Sequence, residues 1–247
     1  MCAENSLVTE RRKYENPPIR EAICHFAVRH VDWQRRSAEE VFRRLKDRYD
    51  GMPYTAATGS ILREVTAEDD LPTPSVLLMS SPDGTRLIRC AADHFAILTT
   101  PPYLGWEEYH ARIREIAKLY ETLFQDVRVA ELQINYQNWF TIRAEQPDGE
   151  YLTRIPAALT PDDSRYYFSN GRYVGDATVV ETFTSRFTAP GNSLKTLSIG
   201  IEVITAPPDA VSISDAIGYL PRLKKRVTDE FESTITDNAR SLFKVLS

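Results

Sequence analysis

The chain is poor in the residues from which most recognisable catalytic sites are built. Its three cysteines, Cys2, Cys24 and Cys90, are isolated and odd in number, and no Cys-x-x-Cys occurs. A disulfide framework and a dithiol redox or zinc pair are therefore not expected; reduced thiols are, with Cys24 and Cys90 packed as small hydrophobes. Only ten glycines are present, and they form neither Gly-x-x-x-x-Gly-Lys nor Gly-x-Gly-x-x-Gly, the backbones that cradle phosphates. A Gly-x-Ser-x-Gly nucleophile elbow is also missing. The four histidines, His25, His30, His94 and His110, include no His-x-x-x-His or His-Glu-x-x-His pair, so the spacing that builds zinc sites is lacking. Apolar runs fall far short of the ~20 residues of a membrane span. The first fourteen residues are polar and charged, unlike a secretory signal. Excess positive charge is lacking too: the net charge is −5 and the isoelectric point 5.5, opposite to the balance of a generic nucleic-acid binder, although a local basic patch stays open. A soluble cytoplasmic chain is expected, with no cofactor and no metal.

What the sequence does contain is core material. Hydrophobic residues make up 42% of 247 and aromatics 10%, ample for one large or two small domains. Residues 1–14 read as a flexible leader with a basic cluster, Arg11-Arg12-Lys13. The prolines of Asn16-Pro17-Pro18 fix an extended entry. A strand follows from Ile19, with Ala22, Cys24, Phe26 and Val28 on an apolar face and Ile19, Glu21, Ile23 and His25 on a mixed one. Glu21 and His25 lie roughly 13 Å apart on that face, too far to form a catalytic pair by themselves. Ser37 with Glu40 predicts a capping box opening a helix whose stripe is Val41, Phe42 and Leu45, ended by Gly51 and Pro53. Four antiparallel strands are expected next, from Gly59–Val65 to the strand beginning at Phe95, with a hairpin at Asp83-Gly84. From Trp106 to Leu123, apolar residues recur at helical spacing.

The second half opens on strict alternation. Ala130, Leu132, Ile134, Tyr136, Asn138 and Phe140 share one face of a strand over Val129–Phe140, with Glu131, Gln133, Asn135, Gln137 and Trp139 on the other. Residues 146–164 read as a loop with a short turn of helix at Pro156–Leu159. Strands are expected at Arg165–Ser169, Ala177–Phe187 and Lys195–Thr205, with a turn at Asn170-Gly171. A helix from Ser214 carries Leu220, Leu223, Val227 and Phe231, with Pro221 either at its first turn or kinking it. Thr236-Asp237 is placed to cap a last short helix.

The element order predicts an α+β fold: a largely antiparallel sheet made from two strand-helix-meander-helix units, residues 15–127 and 128–247, sharing one sheet or core. The long helices would lie on one face, as in TATA-binding-protein-like or helix-grip-like saddles. Paired through their first strands, the units would bring Glu21 near Glu131, and a buried Glu21 would need Arg63, Arg89 or Arg143. Candidate binding residues are Glu21, His25, Tyr136, Asn138 and Trp139. Asn138 is an amide on an otherwise apolar face, satisfying either a backbone edge or a ligand.

Asn16-Pro-Pro-Ile-x-Glu-Ala, Tyr103-Leu-Gly-Trp before a helix, Tyr136-x-Asn138 and Phe231-Glu-Ser-x-Ile-Thr-Asp together resemble a sporadically distributed, uncharacterised prokaryotic protein family of about this length. The resemblance covers essentially the whole chain. It implies no activity; the family's scattered distribution implies an accessory role, in a mobile element or defence system. With every recognisable catalytic set missing, the expectation is a non-enzymatic binding or regulatory protein that acts through a partner protein or by self-association. The alternatives are a small-molecule-binding or hydrolytic protein using a concave sheet face, with acid/base chemistry through Glu21 and His25, and a nucleic-acid-binding sheet with Tyr136 or Trp139 stacking on bases.

Overall fold

A computed structural model describes residues 13–49, 54–55, 76–154, 166–187 and 193–246. Expectations for residues 1–12, for Gly51 and Pro53, for the strand at 59–65, for Arg63 and for the turn at 156–159 lie outside the described residues; Lys13 and Tyr14, the end of the expected flexible leader, form a short strand instead. The elements are β1 (Lys13–Tyr14), β2 (Ile19–Arg29), α1 (Arg35–Leu45), β3 (Tyr54–Thr55), β4 (Val76–Ser80), β5 (Arg86–Ala91), β6 (His94–Thr99), α2 (Trp106–Leu123), β7 (Arg128–Arg143), β8 (Tyr166–Val174), β9 (Ala177–Phe187), β10 (Leu194–Thr205), α3 (Ile213–Thr234), α4 (Asp237–Phe243) and β11 (Val245–Leu246).

The protein is α+β, built on a large antiparallel sheet. Among the described residues nine strands form it, in the order β3-β4-β5-β6-β2-β7-β10-β9-β8. The two halves of the chain meet at its centre, where β2 pairs with β7. Alternation along the strands decides what each face does. Cys24 and Phe26, Phe95 and Ile97, Leu132 and Ile134, and Ile199 and Ile201 are fully or almost fully buried. They form one cluster with Ile113, Ile116 and Tyr120 of α2 and Leu220, Leu223 and Val227 of α3. Aromatic contact ties the layers together: Phe26 stacks on Phe95 at 4.4 Å and Phe95 on Tyr120 at 4.5 Å. The Tyr109 hydroxyl donates to Ile97 O at 2.8 Å, so α2 is hydrogen-bonded to the sheet as well as packed on it. Residues of the opposite parity, Ile23, His25, Gln133, Asn135 and Glu202, are only half-buried.

Two bulges correct the simple alternation. Between β2 and β7, Ile19 faces Asn138 and Glu21 faces Gln137, so Arg20 has no partner in the ladder. The extra residue shifts the parity of the strand below it. Ile19 therefore leaves the face of Glu21 and packs against the core. At the other end Ala27 faces Glu131 and Val28 faces Val129. Here Ala130 is extra, and Val129 takes the fully buried place expected for Ala130.

Local signals met their tertiary context with mixed outcomes. The Asp83-Gly84 hairpin forms, with Gly84 at φ +68° and Asp83 Oδ1 accepting from Ser81 Oγ at 2.5 Å and Thr85 N at 3.1 Å. Thr236 caps α4 as expected. Ser37 does not open α1. The cap is Gln34, and Ser37 lies one turn in, its Oγ accepting from Gln34 N at 3.3 Å. Glu40 instead pairs with Arg43 and Arg44. Asn170-Gly171 is not a turn either: β8 runs through it and turns at Gly175, at φ +65°. β9 offers a continuous partner there, Asn170 opposite Glu181 and Gly171 opposite Val180, which overrides the local turn preference. Pro221 falls in the interior of α3, since that helix begins at Ile213 under a Ser212 cap.

Candidate functional site

The entry Asn16-Pro17-Pro18 is fixed from two sides. Glu15 N donates to Lys244 O at 2.9 Å and Asn16 N to Phe243 O at 3.1 Å, continuing the short β1–β11 ladder. Trp139 N then donates to Pro18 O at 2.8 Å. The beginning and the end of the described chain are thus clamped beside the lower end of β7. Above them, Pro101 and Pro102, joined by a cis peptide, end β6 and deliver Tyr103, whose hydroxyl lies 2.8 Å from that of Tyr136.

These segments enclose a cleft of about 580 Å³, lined by Glu15–Arg20, Pro101–Tyr103, Trp139–Thr141, Leu242 and Phe243. Its floor is rigid: Phe243 packs edge-on against Phe140 at 5.4 Å and Tyr14 at 5.5 Å. Its rim is apolar and wet. Trp139 is 49% exposed and Leu242 42%. Of the stretches that carry the motif resemblance, Asn16–Ile19 and Tyr103 line the cleft; Tyr136, which bonds to Tyr103, and Glu232, which accepts from Tyr14 at 2.6 Å, lie outside its lining.

The sequence-derived candidates separate onto two faces. Tyr136 and Asn138 are buried under the helices. Burial pushes the Tyr136 phenol well up, and Lys224 Nζ of α3 lies 4.7 Å from its ring centroid. Asn138 Nδ2 donates to Tyr136 O at 3.4 Å and Ile199 O at 3.3 Å, which satisfies backbone acceptors on β7 and β10. Glu21, His25 and Trp139 lie on the helix-free face. Glu21 faces Gln137 while Glu131 faces Ala27, so the two glutamates are well separated along the strands instead of adjacent. Glu21 has no ion pair with Arg89, Arg143 or any other described residue. Glu131 instead contributes to Glu202, whose carboxyl is raised by burial first and by Glu131 second.

His25 meets His94, not Glu21. The rings stack at 5.3 Å, and Asp93 Oδ1 lies 2.6 Å from His94 Nδ1. His25 Nδ1 and His94 Nε2 are buried without a hydrogen-bond partner. Burial, His94 and Arg89 together lower His25 to about 4, against a weaker upward pull from Asp93. Asp93 lies in the turn between β5 and β6, and His94 opens β6. No group of three or more potential metal ligands occurs among the described residues. Burial also raises both described thiols, Cys24 well above its ordinary value and Cys90 to about 12, which makes them poor nucleophiles. By strand parity the helix-free face carries Glu21, Glu131 and Glu202 together with Arg29, Arg89, Arg128 and Arg143.

A second polar cluster escaped the sequence reading. Glu181 of β9 and Glu230 of α3 are 2% and 5% exposed. Arg154 reaches Glu181 at 2.8 Å and Glu230 at 3.6 Å; Arg172 bonds to Glu230 and lies 3.8 Å from Glu181. The signal was available: Glu181 stands between Val179 and Phe183 at the buried parity of its strand. Arg20 was not legible, because a bulge and not a motif aims it at the cleft.

Fold and site thus define an antiparallel α+β sheet protein with helices on one face and a proline- and aromatic-lined cleft at one end. No family model matches the chain, and no curated protein matches it. Among solved structures it is similar to the di-domain ARO/CYC StfQ from the steffimycin biosynthetic pathway, at 10% identity over 84% of this chain and 97% of that one. The TM-score is 0.19, too low for that likeness to bear on fold or function. No described helix is long and apolar enough to cross a membrane.

Proposed function

We propose that the protein is a non-enzymatic binding protein that acts by holding a partner protein at this cleft. The observation that carries the reading is the pair of exposed apolar side chains, Trp139 and Leu242, on a concavity whose walls are prolines and packed aromatics. Such rims bury area with little loss of side-chain freedom, and a half-exposed tryptophan beside a pocket is the kind of residue that dominates binding energy. No described group at the cleft has the chemistry of a nucleophile with a base beside it. The motif resemblance fits the same reading, since two of the segments that carry it line the cleft, and it extends the reading to an accessory role in a mobile-element or defence system.

A photo-crosslinking amino acid at Leu242 tests the reading in native cells, with the same group at Tyr173 as control. Tyr173 is 89% exposed and lies on the edge strand β8. One discrete adduct from position 242, missing from position 173, is expected. Equal adduct patterns from both positions, or none from 242, would contradict it.

A further inference from the structure

The cleft carries charge as well as shape. Its bulge residue, Arg20, is exposed and lines the cleft. A bulge re-aims a side chain out of the ladder. Among the described residues Arg20 has no ion-pair or hydrogen-bond partner. The other charged lining group, Glu15, is answered by Lys244 Nζ at 3.5 Å. In a chain of net charge −5, the cleft therefore presents one uncompensated guanidinium beside an apolar wall formed by Pro17, Pro18, Pro102 and Trp139.

We infer that the occupant is an extended segment of the partner protein in which an Asp or Glu lies within about two residues of a bulky apolar side chain. The apolar group packs on Trp139 and the prolines, and the carboxylate pairs with the Arg20 guanidinium, whose planar fork suits a bidentate carboxylate. A basic segment would set like charge against Arg20, and a purely apolar one would leave the guanidinium to be desolvated unpaired. This inference rests on the docking role proposed above and adds the chemistry of what docks.

The test is selection of random linear peptides displayed on phage, panned on the full chain and counter-selected on Trp139→Ala. The expected consensus pairs an acidic residue with a neighbouring bulky apolar one. Binding of a selected peptide should weaken about tenfold in Arg20→Glu and fall with rising salt, as for a rim charge. Replacing the peptide's acid by its amide should remove the sensitivity to Arg20→Gln, the signature of a direct pair in a double-mutant cycle. A consensus without an acid, or equal affinity for Arg20→Glu, overturns the inference and leaves the docking role standing. Failure to select any Trp139-dependent peptide also overturns it, while the crosslink at position 242 decides the docking role separately. Unchanged urea midpoints for Arg20→Glu and Trp139→Ala keep a folding defect out of the result.

Discussion

His25 shows how one residue's surroundings become a property of the whole protein. Its imidazole is held near a pKa of about 4 by burial, by His94 and by Arg89, whereas an unfolded chain leaves it near the ordinary 6.5. Between these values the unfolded state binds a proton that the folded state refuses. Stability from this group is therefore complete above about pH 6.5 and declines as the pH falls toward 4. Urea midpoints measured across that range should drop for the wild type and drop less for His25→Gln. Equal slopes would remove His25 as the cause. Parity made several such residues legible beforehand: Asn138 stood out as an amide on an apolar face, and it proved to satisfy two backbone carbonyls. What parity could not give was the neighbour across the strand. Glu21 was expected beside Glu131, yet register places Gln137 opposite it, and His25 found a histidine from β6.

Among elements, the contact of α3 with β8 and β9 rests on the cluster of Glu181, Glu230, Arg154 and Arg172. Two buried carboxylates are costly to desolvate and are tolerated because two guanidiniums reach both. Arg172→Met leaves Glu230 with Arg154 at 3.6 Å and Arg226 at 3.7 Å, and it should cost about 2 kcal/mol in urea denaturation, less than a fully buried pair because Arg172 is one-third exposed. Adding Glu230→Met should recover part of that loss, since the buried carboxylate that lost its nearest guanidinium goes with it; a double variant worse than the single would contradict this account. The elements themselves were mostly readable. The periods of α2, β7, β9 and α3 carry enough apolar residues to fix their type and nearly their ends. The failures lie where tertiary pairing outweighed a local preference: the Asn170-Gly171 turn was drawn into β8 by β9, and the capping signal at Ser37 yielded to Gln34. Bulges at Arg20 and Ala130 leave no composition signal, so the face of Ile19 and the aim of Arg20 were beyond reach of the sequence.

At the scale of the molecule, the cleft exists because three separate stretches converge on the lower end of β7. Two Pro-Pro pairs, the first of them read from sequence only as a strand entry, become its walls once β2 pairs with β7 and α4 returns the chain to Glu15 and Asn16. Long-range closure of this kind is what local periodicity cannot encode. The most direct measurement is quantitative affinity capture from native lysate with three versions of the full chain: wild type, Trp139→Arg and Tyr173→Arg. All three should have the same urea midpoint, because both substituted side chains are about half or more exposed. The account predicts one polypeptide recovered in stoichiometric amount with wild type and Tyr173→Arg and lost with Trp139→Arg. Equal recovery with all three, or no stoichiometric partner with any, would contradict it.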